Sequence, residues 1–254
     1  MDDLSLRRFG SGAPVLLLGG NACPVEHLHP LAERLARKRT VLLPSFPGYH
    51  AGPPVDRIDL DDQHAALQER IVADGILEID VVGFSLGAYR ACAIACDGRL
   101  VVRRVVALAG FVTMTDEERA TFAGFAEMAQ SKSAPPGILA ERFLSPAFAA
   151  AHPDIRKSVD SWLDAIEPIS LAAELRAIAR CRDLSSPLQS LEARVVARVG
   201  ELDVAAPRAK SEHLVACARH ATLEIVPGAG HLLLFEDFEN TATSIERALD
   251  AAVP

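Results

Sequence analysis

The sequence predicts an α/β fold in which a mostly parallel central sheet is flanked by helices. Three observations lead to this prediction. Short apolar runs rich in β-branched residues recur along the 254-residue chain, helical patterns lie between most of them, and the runs stop at turn residues. Strands that alternate with helices form parallel sheets joined by right-handed crossovers. One long helical stretch interrupts the alternation, which predicts a helical cap inserted between two strands.

The apolar runs lack the strict alternation of a strand that has one face in water. We therefore expect strands that are buried on both faces of the sheet. The run Val15–Leu18 stops at Gly19, and the run Ile79–Val82 stops at Gly83. The six predicted strands are residues 15–18, 40–43, 79–82, 101–108, 193–199 and 222–226.

Helical periodicity occupies the segments between these strands. Acidic residues crowd the first turn of one segment, where the helix dipole favours negative charge. Another segment is apolar nearly all round, which predicts a buried helix, and Pro207 is suited to the first position of a third. The predicted helices are residues 27–38, 59–73, 88–96, 208–218 and a C-terminal helix that contains Ile245 and Leu249.

Residues 111–189 show helical patterns and no convincing strand. We predict a helical cap at 111–189 on a core formed by residues 1–110 and 190–254. Aromatic side chains in the cap either line an apolar substrate pocket or pack the cap helices together. Phe111 and Trp162 are our candidates for the pocket, among Phe111, Phe122, Phe125, Phe143, Phe148 and Trp162.

Composition argues against several classes of partner. The chain has 26 Lys and Arg against 34 Asp and Glu, a net charge of -8, which disfavours nucleic acid or an anionic membrane as the partner. The N-terminus lacks the basic and apolar regions of a secretory signal, and no apolar run approaches the ~20 residues of a membrane span. We expect a small-molecule substrate, and a homodimer is left open.

The cysteines indicate a reducing compartment. Their number, five, is odd and their spacing shows no pairing pattern, so we expect reduced thiols in the cytoplasm. Cys92 and Cys96 share a predicted helix, but no second pair of ligands accompanies them. Two small buried side chains explain this spacing better than a metal site does.

The pentapeptide Gly83-Phe84-Ser85-Leu86-Gly87 is the sharpest signal for chemistry. It lies between a predicted strand and the predicted buried helix. A G-x-S-x-G sequence in that context is typical of a nucleophile elbow, in which a strained turn exposes the serine hydroxyl. The sequence therefore predicts Ser85 as a nucleophile.

A serine nucleophile needs a base, and the base needs an orienting acid. His231 follows the last predicted strand in a Gly-rich loop, and Asp203 follows the preceding strand. We predict His231 as the base and Asp203 as the acid, with Glu201 as the nearest competitor. The remaining histidines fit surface or helix positions better, although three in loops near the expected pocket stay open as substrate contacts: His27, His29 and His50.

An oxyanion hole requires two backbone N–H groups that point at the developing negative charge. The amide of Leu86, next to the nucleophile, is the first candidate. The second is the amide of Asn21 or Ala22, in the loop after the first predicted strand. The Gly-rich start of this loop lacks the Gly-Lys-Ser/Thr of a nucleotide-binding loop, which argues against a phosphate site.

On these motifs the sequence resembles the α/β-hydrolase superfamily over essentially its whole length. Residues 140–183 are similar to the cap of oxoadipate enol-lactonase-like and carboxylesterase-like members. The resemblance implies an α/β-hydrolase fold, hydrolysis at an acyl carbon and no metal or organic cofactor. The matching segments are residues 19–21, 44–49, 83–87, 200–207 and 228–231.

The chain also departs from the family pattern near the expected pocket. Gly19-Gly20 stands where many members have His-Gly, and Ser45 stands where many have Asp. These departures leave the substrate class open. The serine at position 85 disfavours the dehalogenase branch, which uses an aspartate nucleophile.

We therefore expect a serine hydrolase that cleaves a small-molecule carboxylic ester, thioester or lactone. C–C bond hydrolysis and acyl transfer stay open, because they use the same triad. A non-catalytic ligand receptor is disfavoured by the complete triad. An anionic substrate would need a cation in the pocket, and the sequence does not select one among Arg142, Arg156, Arg176, Arg180 and Arg182.

Overall fold

The structure is a computed structural model that describes residues 4–48 and 53–252. Within these residues the chain forms a seven-stranded sheet in the order β1-β3-β2-β4-β5-β6-β7. Strand β1 pairs antiparallel with β3, and the other pairs are parallel. The strands are β1 (Ser5–Phe9), β2 (Ala13–Leu18), β3 (Arg39–Ser45), β4 (Glu78–Phe84), β5 (Val101–Leu108), β6 (Arg194–Gly200) and β7 (Ala221–Val226).

Helices connect all the parallel strands. None that the described ranges contain has the length and apolar character needed to cross a bilayer. Two 3-10 turns span Val25–Leu28 and Ser161–Ala165. The α-helices are α1 (His29–Leu35), α2 (Leu60–Ala73), α3 (Leu86–Asp97), α4 (Asp116–Gln130), α5 (Ile138–Phe143), α6 (Pro146–Ala151), α7 (Pro153–Asp160), α8 (Pro168–Ala179), α9 (Ser185–Leu188), α10 (Arg208–Cys217), α11 (Leu233–Glu236) and α12 (Phe238–Asp250).

Both faces of the sheet are buried, as the continuous apolar runs predict. Along β2, Leu16 and Leu18 belong to the hydrophobic cluster that contains α2 and α3, while Val15 and Leu17 belong to the cluster that contains α1 and α12. Successive side chains of a strand point to opposite faces, so each face needs its own apolar residues. The sheet is therefore the middle layer of three.

All six predicted strands are present, and the prediction of a mostly parallel sheet is confirmed. Strand β1 was not predicted, because its segment Ser5–Phe9 carries two adjacent arginines and is largely exposed. This strand lies at the edge of the sheet, where charged residues are common because only one side pairs. An edge strand thus lacks the apolar run by which the buried strands are recognised.

Two predicted helix boundaries differ from the observed ones. The segment predicted as a helix over 27–38 begins as the 3-10 turn and its α-helix ends at Leu35, because the chain turns at 36–38 before β3. Pro207 precedes the first residue of α10 rather than occupying it. Asp59 caps α2, since its side chain accepts hydrogen bonds from the amides of Asp61 and Asp62.

The interruption between β5 and β6, all of which the structure describes, contains the helices α4 to α9, joined by loops, and no strand. Its last helices are not separate from the core. Ala173, Ala177 and Ile178 of α8 belong to the same hydrophobic cluster as α3 and the strands. Helices α4 and α8 also pack against each other. The cap is thus anchored on the helix that follows the predicted nucleophile.

Candidate active site

Ser85 lies in a sharp turn between β4 and α3. Its backbone has φ +56° and ψ -116°, a conformation that L-residues rarely adopt. Its amide donates a hydrogen bond to the Leu108 carbonyl oxygen at 2.8 Å. A Cβ at Gly83 would overlap the Gly87 carbonyl, and a Cβ at Gly87 would overlap the Leu18 carbonyl. Glycine at both positions is therefore what allows the turn to close so tightly.

Asp203 and His231 form a buried pair at the ends of β6 and β7. His231 Nδ1 lies 2.8 Å from Asp203 Oδ2, and the two side chains are 2% and 0% exposed. A carboxylate has no proton to donate, so Nδ1–H is the donor and Nε2 is left as an acceptor. The other carboxylate oxygen accepts hydrogen bonds from the amides of Ala205 and Ala206. These bonds fix the carboxylate before any substrate arrives.

The cap contributes to the position of His231. The amides of His231 and Leu232 both donate to the carbonyl oxygen of Phe143 at the end of α5, at 2.8 and 3.1 Å. The Phe143 ring packs 5.1 Å from the imidazole, and the Phe84 ring packs 4.9 Å from it. The imidazole is thus held between a strand residue and a cap residue.

A cavity of about 880 Å³ lies between the sheet edge and the cap. Five of the predicted catalytic and oxyanion-hole residues line it: Ser85, Leu86, His231, Asn21 and Ala22. Its volume falls in the range of pockets that bind small molecules. Asp203 lies behind His231, away from the cavity wall. The structure thus places the predicted nucleophile, base and oxyanion residues on one cavity.

A buried polar chain links the loop after β2 to the cap. Asn21 Nδ2 donates to Glu174 Oε2 of α8 at 2.7 Å, and the other Glu174 oxygen lies 3.5 Å from the Arg90 guanidinium of α3. Arg90 also donates to Gln63 of α2 at 2.7 Å. The next residue, Ala22, has φ +55° and is buried. Side-chain contacts therefore hold this loop from the cap side.

The two aromatic pocket candidates have different positions. Phe111 lines the cavity, and its ring stacks on Tyr89 at 5.4 Å. Trp162 does not line it, so that prediction is wrong. Trp162 is 6% exposed and lies against the rings of His27 and Phe235, at 6.1 and 6.0 Å. On its 3-10 turn the neighbours at 161 and 163 line the cavity instead, since successive side chains of such a turn point in different directions.

Other residues considered from the sequence lie elsewhere. His27 is buried below the site, among aromatic rings, and burial together with the nearby His231 lowers its pKa to about 4. His29 does not line the cavity, and His50 lies outside the described residues. Glu201 is exposed and accepts a hydrogen bond from the Gly228 amide at 2.9 Å. That contact supports the loop before His231. The imidazole instead donates its hydrogen bond to Asp203.

The structure adds cavity residues that the sequence did not single out. Phe122, Phe125 and Arg142 line the wall formed by the cap. Of the five arginines considered above, Arg142 alone is among the described residues that line the cavity. No local pattern distinguishes Arg142 from the others, because its direction depends on how α5 packs. The residues 4–48 and 53–252 contain no cluster of three or more His, Cys, Asp or Glu suited to hold a metal ion.

Comparisons with known proteins agree with this architecture. The model of a family described as the alpha/beta hydrolase family matches residues 15–243. No curated protein matches the sequence closely enough to count as a relative. Three solved structures illustrate the structural similarity.

A thermophilic esterase from Thermogutta terrifontis has a TM-score of 0.87 and 22% identity, covering 97% of this chain and 92% of its own. The enol-lactonase from Burkholderia xenovorans LB400 has a TM-score of 0.84 and 16% identity, with 98% and 96% covered. MenH from S. aureus has a TM-score of 0.82 and 15% identity, with 98% of each chain covered. At these identities the similarity establishes the fold.

Proposed function

The chain belongs to the alpha/beta hydrolase family, and we propose that it is a serine hydrolase that cleaves a small-molecule carboxylic ester, thioester or lactone. One observation carries the proposal. The Asp203–His231 hydrogen bond of 2.8 Å orients an imidazole on the wall of the cavity that Ser85 also lines. This is the combination of nucleophile, base and orienting acid that acyl transfer requires.

In the first step, Ser85 Oγ attacks the substrate carbonyl carbon. His231 Nε2 accepts the hydroxyl proton, and Asp203 stabilises the imidazolium that forms. The proton then passes to the leaving alcohol, thiol or ring oxygen as the tetrahedral intermediate collapses. The product of this step is an ester between the acyl group and Ser85.

In the second step, water attacks the acyl-enzyme. His231 accepts a proton from this water and returns it to Ser85 as the acid departs. The order of events mirrors the first step, so the same three residues serve both. No redox change occurs.

The negative charge on the carbonyl oxygen needs donors in both steps. We assign this role to the Leu86 amide, at the N-terminus of α3, and to the amide of Asn21 or Ala22. Both segments line the cavity beside Ser85. The polar chain from Asn21 to Glu174 supports the second segment, because it fixes that loop before the charge develops.

The structural neighbours include an esterase and an enol-lactonase, which supports the proposed bond class. A panel of nitrophenyl esters, thioesters and lactones of increasing acyl length tests it. We expect turnover of at least one class by the wild type and none above background by Ser85→Ala. Turnover restricted to C–C bonds, or only transfer to an added alcohol, would contradict the proposal.

A cytoplasmic location is part of the same proposal. All five cysteines are free, and three of them are buried. Free thiols persist in reducing compartments. Titration of the unfolded protein with a thiol reagent, without prior reduction, should therefore count five thiols.

A further inference from the structure

Arg142 is an unusual feature of the cavity wall. It belongs to α5, lines the cavity and is half-buried. Its guanidinium carbon stands 5.0 Å from the centre of the Phe125 ring. Across the described residues we find no hydrogen bond or ion pair from Arg142 to another side chain. Burial lowers the pKa of the guanidinium, whereas the charge of Asp203 opposes this shift.

The other half-buried cap arginines, Arg119 and Arg176, have polar partners, and so does the more exposed Arg182. Arg119 donates to the carbonyl oxygens of Ala179 and Cys181. Arg176 donates to Glu127 and Gln130, and Arg182 contacts Asp61 and Asp97. A cation that is partly removed from water without a partner loses hydration and gains little in return. A bound anion would supply the missing partner for Arg142.

The remaining charges on the cavity wall do not fill this role. Lys132, Lys157, Asp164 and Glu167 are exposed at the mouth, two of each sign, where water screens them. Asp160 accepts a hydrogen bond from the Ala140 amide. Among the described lining residues, the half-buried cation is therefore Arg142.

Asp203 does not serve as the partner of Arg142 either. One of its oxygens accepts from two backbone amides and the other from His231. Arg142 nevertheless lies close to the chemistry, since the adjacent residue Phe143 holds the backbone of His231 and Leu232. Arg142 and His231 line the same cavity, and the charge of Asp203 acts on Arg142, so a group bound to Arg142 shares the cavity with the base.

We propose that Arg142 binds a carboxylate of the substrate, so that the substrate is an anionic ester, thioester or lactone. This inference rests on the function proposed above. A guanidinium binds a carboxylate through two parallel hydrogen bonds. The contact with the face of the Phe125 ring holds the guanidinium at the cavity wall. Phe111 and Phe122 then contact the apolar part of the substrate. The carboxylate is on either the acyl side or the leaving-group side of the scissile bond.

Matched substrates test this inference. For the acyl side, the mono-4-nitrophenyl ester of glutaric acid is compared with 4-nitrophenyl valerate. For the leaving-group side, 3-carboxyphenyl butyrate is compared with phenyl butyrate. We expect the wild type to prefer the carboxylated member of one pair by about 10- to 100-fold in kcat/KM, the range of a charge-assisted contact.

The variant Arg142→Gln should bring this preference close to one, and Arg142→Lys should keep part of it. The matched control is Lys157→Gln, which removes the same charge from the exposed mouth and should keep the preference within about twofold. If both glutamine variants lose the preference, the proposed direct contact with Arg142 is wrong. The preference would then come from the overall electrostatic potential of the cavity.

A binding measurement separates this inference from the hydrolase function. Glutarate should raise the melting temperature of the wild type and of Ser85→Ala, but not that of Arg142→Gln. If neutral and carboxylated esters are cleaved equally and glutarate does not bind, the anion site is wrong and the hydrolase function stands. If no ester is cleaved but glutarate binds through Arg142, the proposed function fails and the anion site stands.

Discussion

The strand-end loops and the cap meet at one cavity, but different forces position their residues. We call the loops that carry Ser85, Asp203 and His231 the catalytic floor. Backbone contacts define the floor: the elbow closes where glycines allow it, and two amides fix the Asp203 carboxylate. Such positions are set by local sequence and by the register of the sheet.

Side-chain packing defines the cap. The Phe122 and Phe125 rings meet edge to face at 5.9 Å, and Arg142 stands over Phe125. Short helices leave each side chain free to point into the cavity or away from it. The residues of the proposed triad are thus positioned by local sequence, whereas the residues of the cavity wall are positioned by packing between helices.

The largest expected effect concerns the floor. Asp203→Asn should lower kcat by a factor on the order of 10³–10⁴, because the amide favours the wrong imidazole tautomer. Glu201→Gln is the matched control and should be nearly silent, since the Glu201 side chain accepts a hydrogen bond from the Gly228 amide rather than from His231. Steady-state kinetics on the best ester of the panel provide the measurement. A reversed pair of results would assign the acid to Glu201.

The same contrast explains what the sequence could and could not predict. The residues of the floor were predicted because each follows a recognisable strand, and Ser85 also lies in a G-x-S-x-G motif. Trp162 was misplaced because periodicity does not tell which residue of a 3-10 turn faces a cavity. Arg142 was not selected because the direction of its side chain depends on how α5 packs against the other helices. Strand β1 was not predicted because an edge strand with adjacent arginines has no apolar run.

The second prediction tests whether the cap supports the floor. Glu174→Gln removes the charge that faces Arg90 and weakens the contact to Asn21, so the loop after β2 should lose its fixed position. We expect kcat to fall by a factor on the order of 10² with little change in KM, the scale of a small misplacement.

Binding of a transition-state analogue distinguishes positioning of the loop after β2 from a general loss of stability. Affinity for a boronic acid inhibitor should fall in parallel with kcat, while affinity for the product acid should not. Glu127→Gln, which breaks an exposed cap ion pair with Arg176, is the control. A fall of equal size in the control, or an unchanged kcat in Glu174→Gln, would show that the polar chain does not position the loop.

The third prediction concerns how stability depends on pH through His27. This side chain lies between the floor and the cap, against the rings of Phe84 and Trp162. Its pKa is lowered to about 4 by burial, against about 6.5 for an unfolded histidine. The unfolded chain therefore gains a proton at a higher pH than the folded chain does. The contribution of neutral His27 to the unfolding free energy is therefore fully present above about pH 6.5 and is lost as the pH falls towards 4. At pH 5 the loss is about 2 kcal/mol.

Denaturant unfolding at pH 7.5 and pH 5 measures this loss. His27→Leu has no proton to gain at this position, so its unfolding free energy should fall by about 2 kcal/mol less between the two pH values. Equal losses in the wild type and the variant would mean that His27 is not held neutral in the folded protein.

The smallest expected effect concerns the cavity wall. Phe111→Ala should change the preference between short and long acyl chains by about 5- to 30-fold, because Phe111 lines the cavity. Trp162→Phe is the control and should leave this preference unchanged, since Trp162 is packed away from the wall. Equal loss on every ester in Phe111→Ala would indicate that Phe111 acts only through its packing on Tyr89.

Trapping the acyl-enzyme shows whether this floor performs serine-based acyl transfer. The protein is mixed with 4-nitrophenyl acetate and quenched in acid within the first turnover, and its intact mass and peptides are measured. We predict one acetyl group per chain on the peptide that carries Ser85, and none in Ser85→Ala. An acetyl group on another residue, or turnover that persists in Ser85→Ala, would contradict this mechanism.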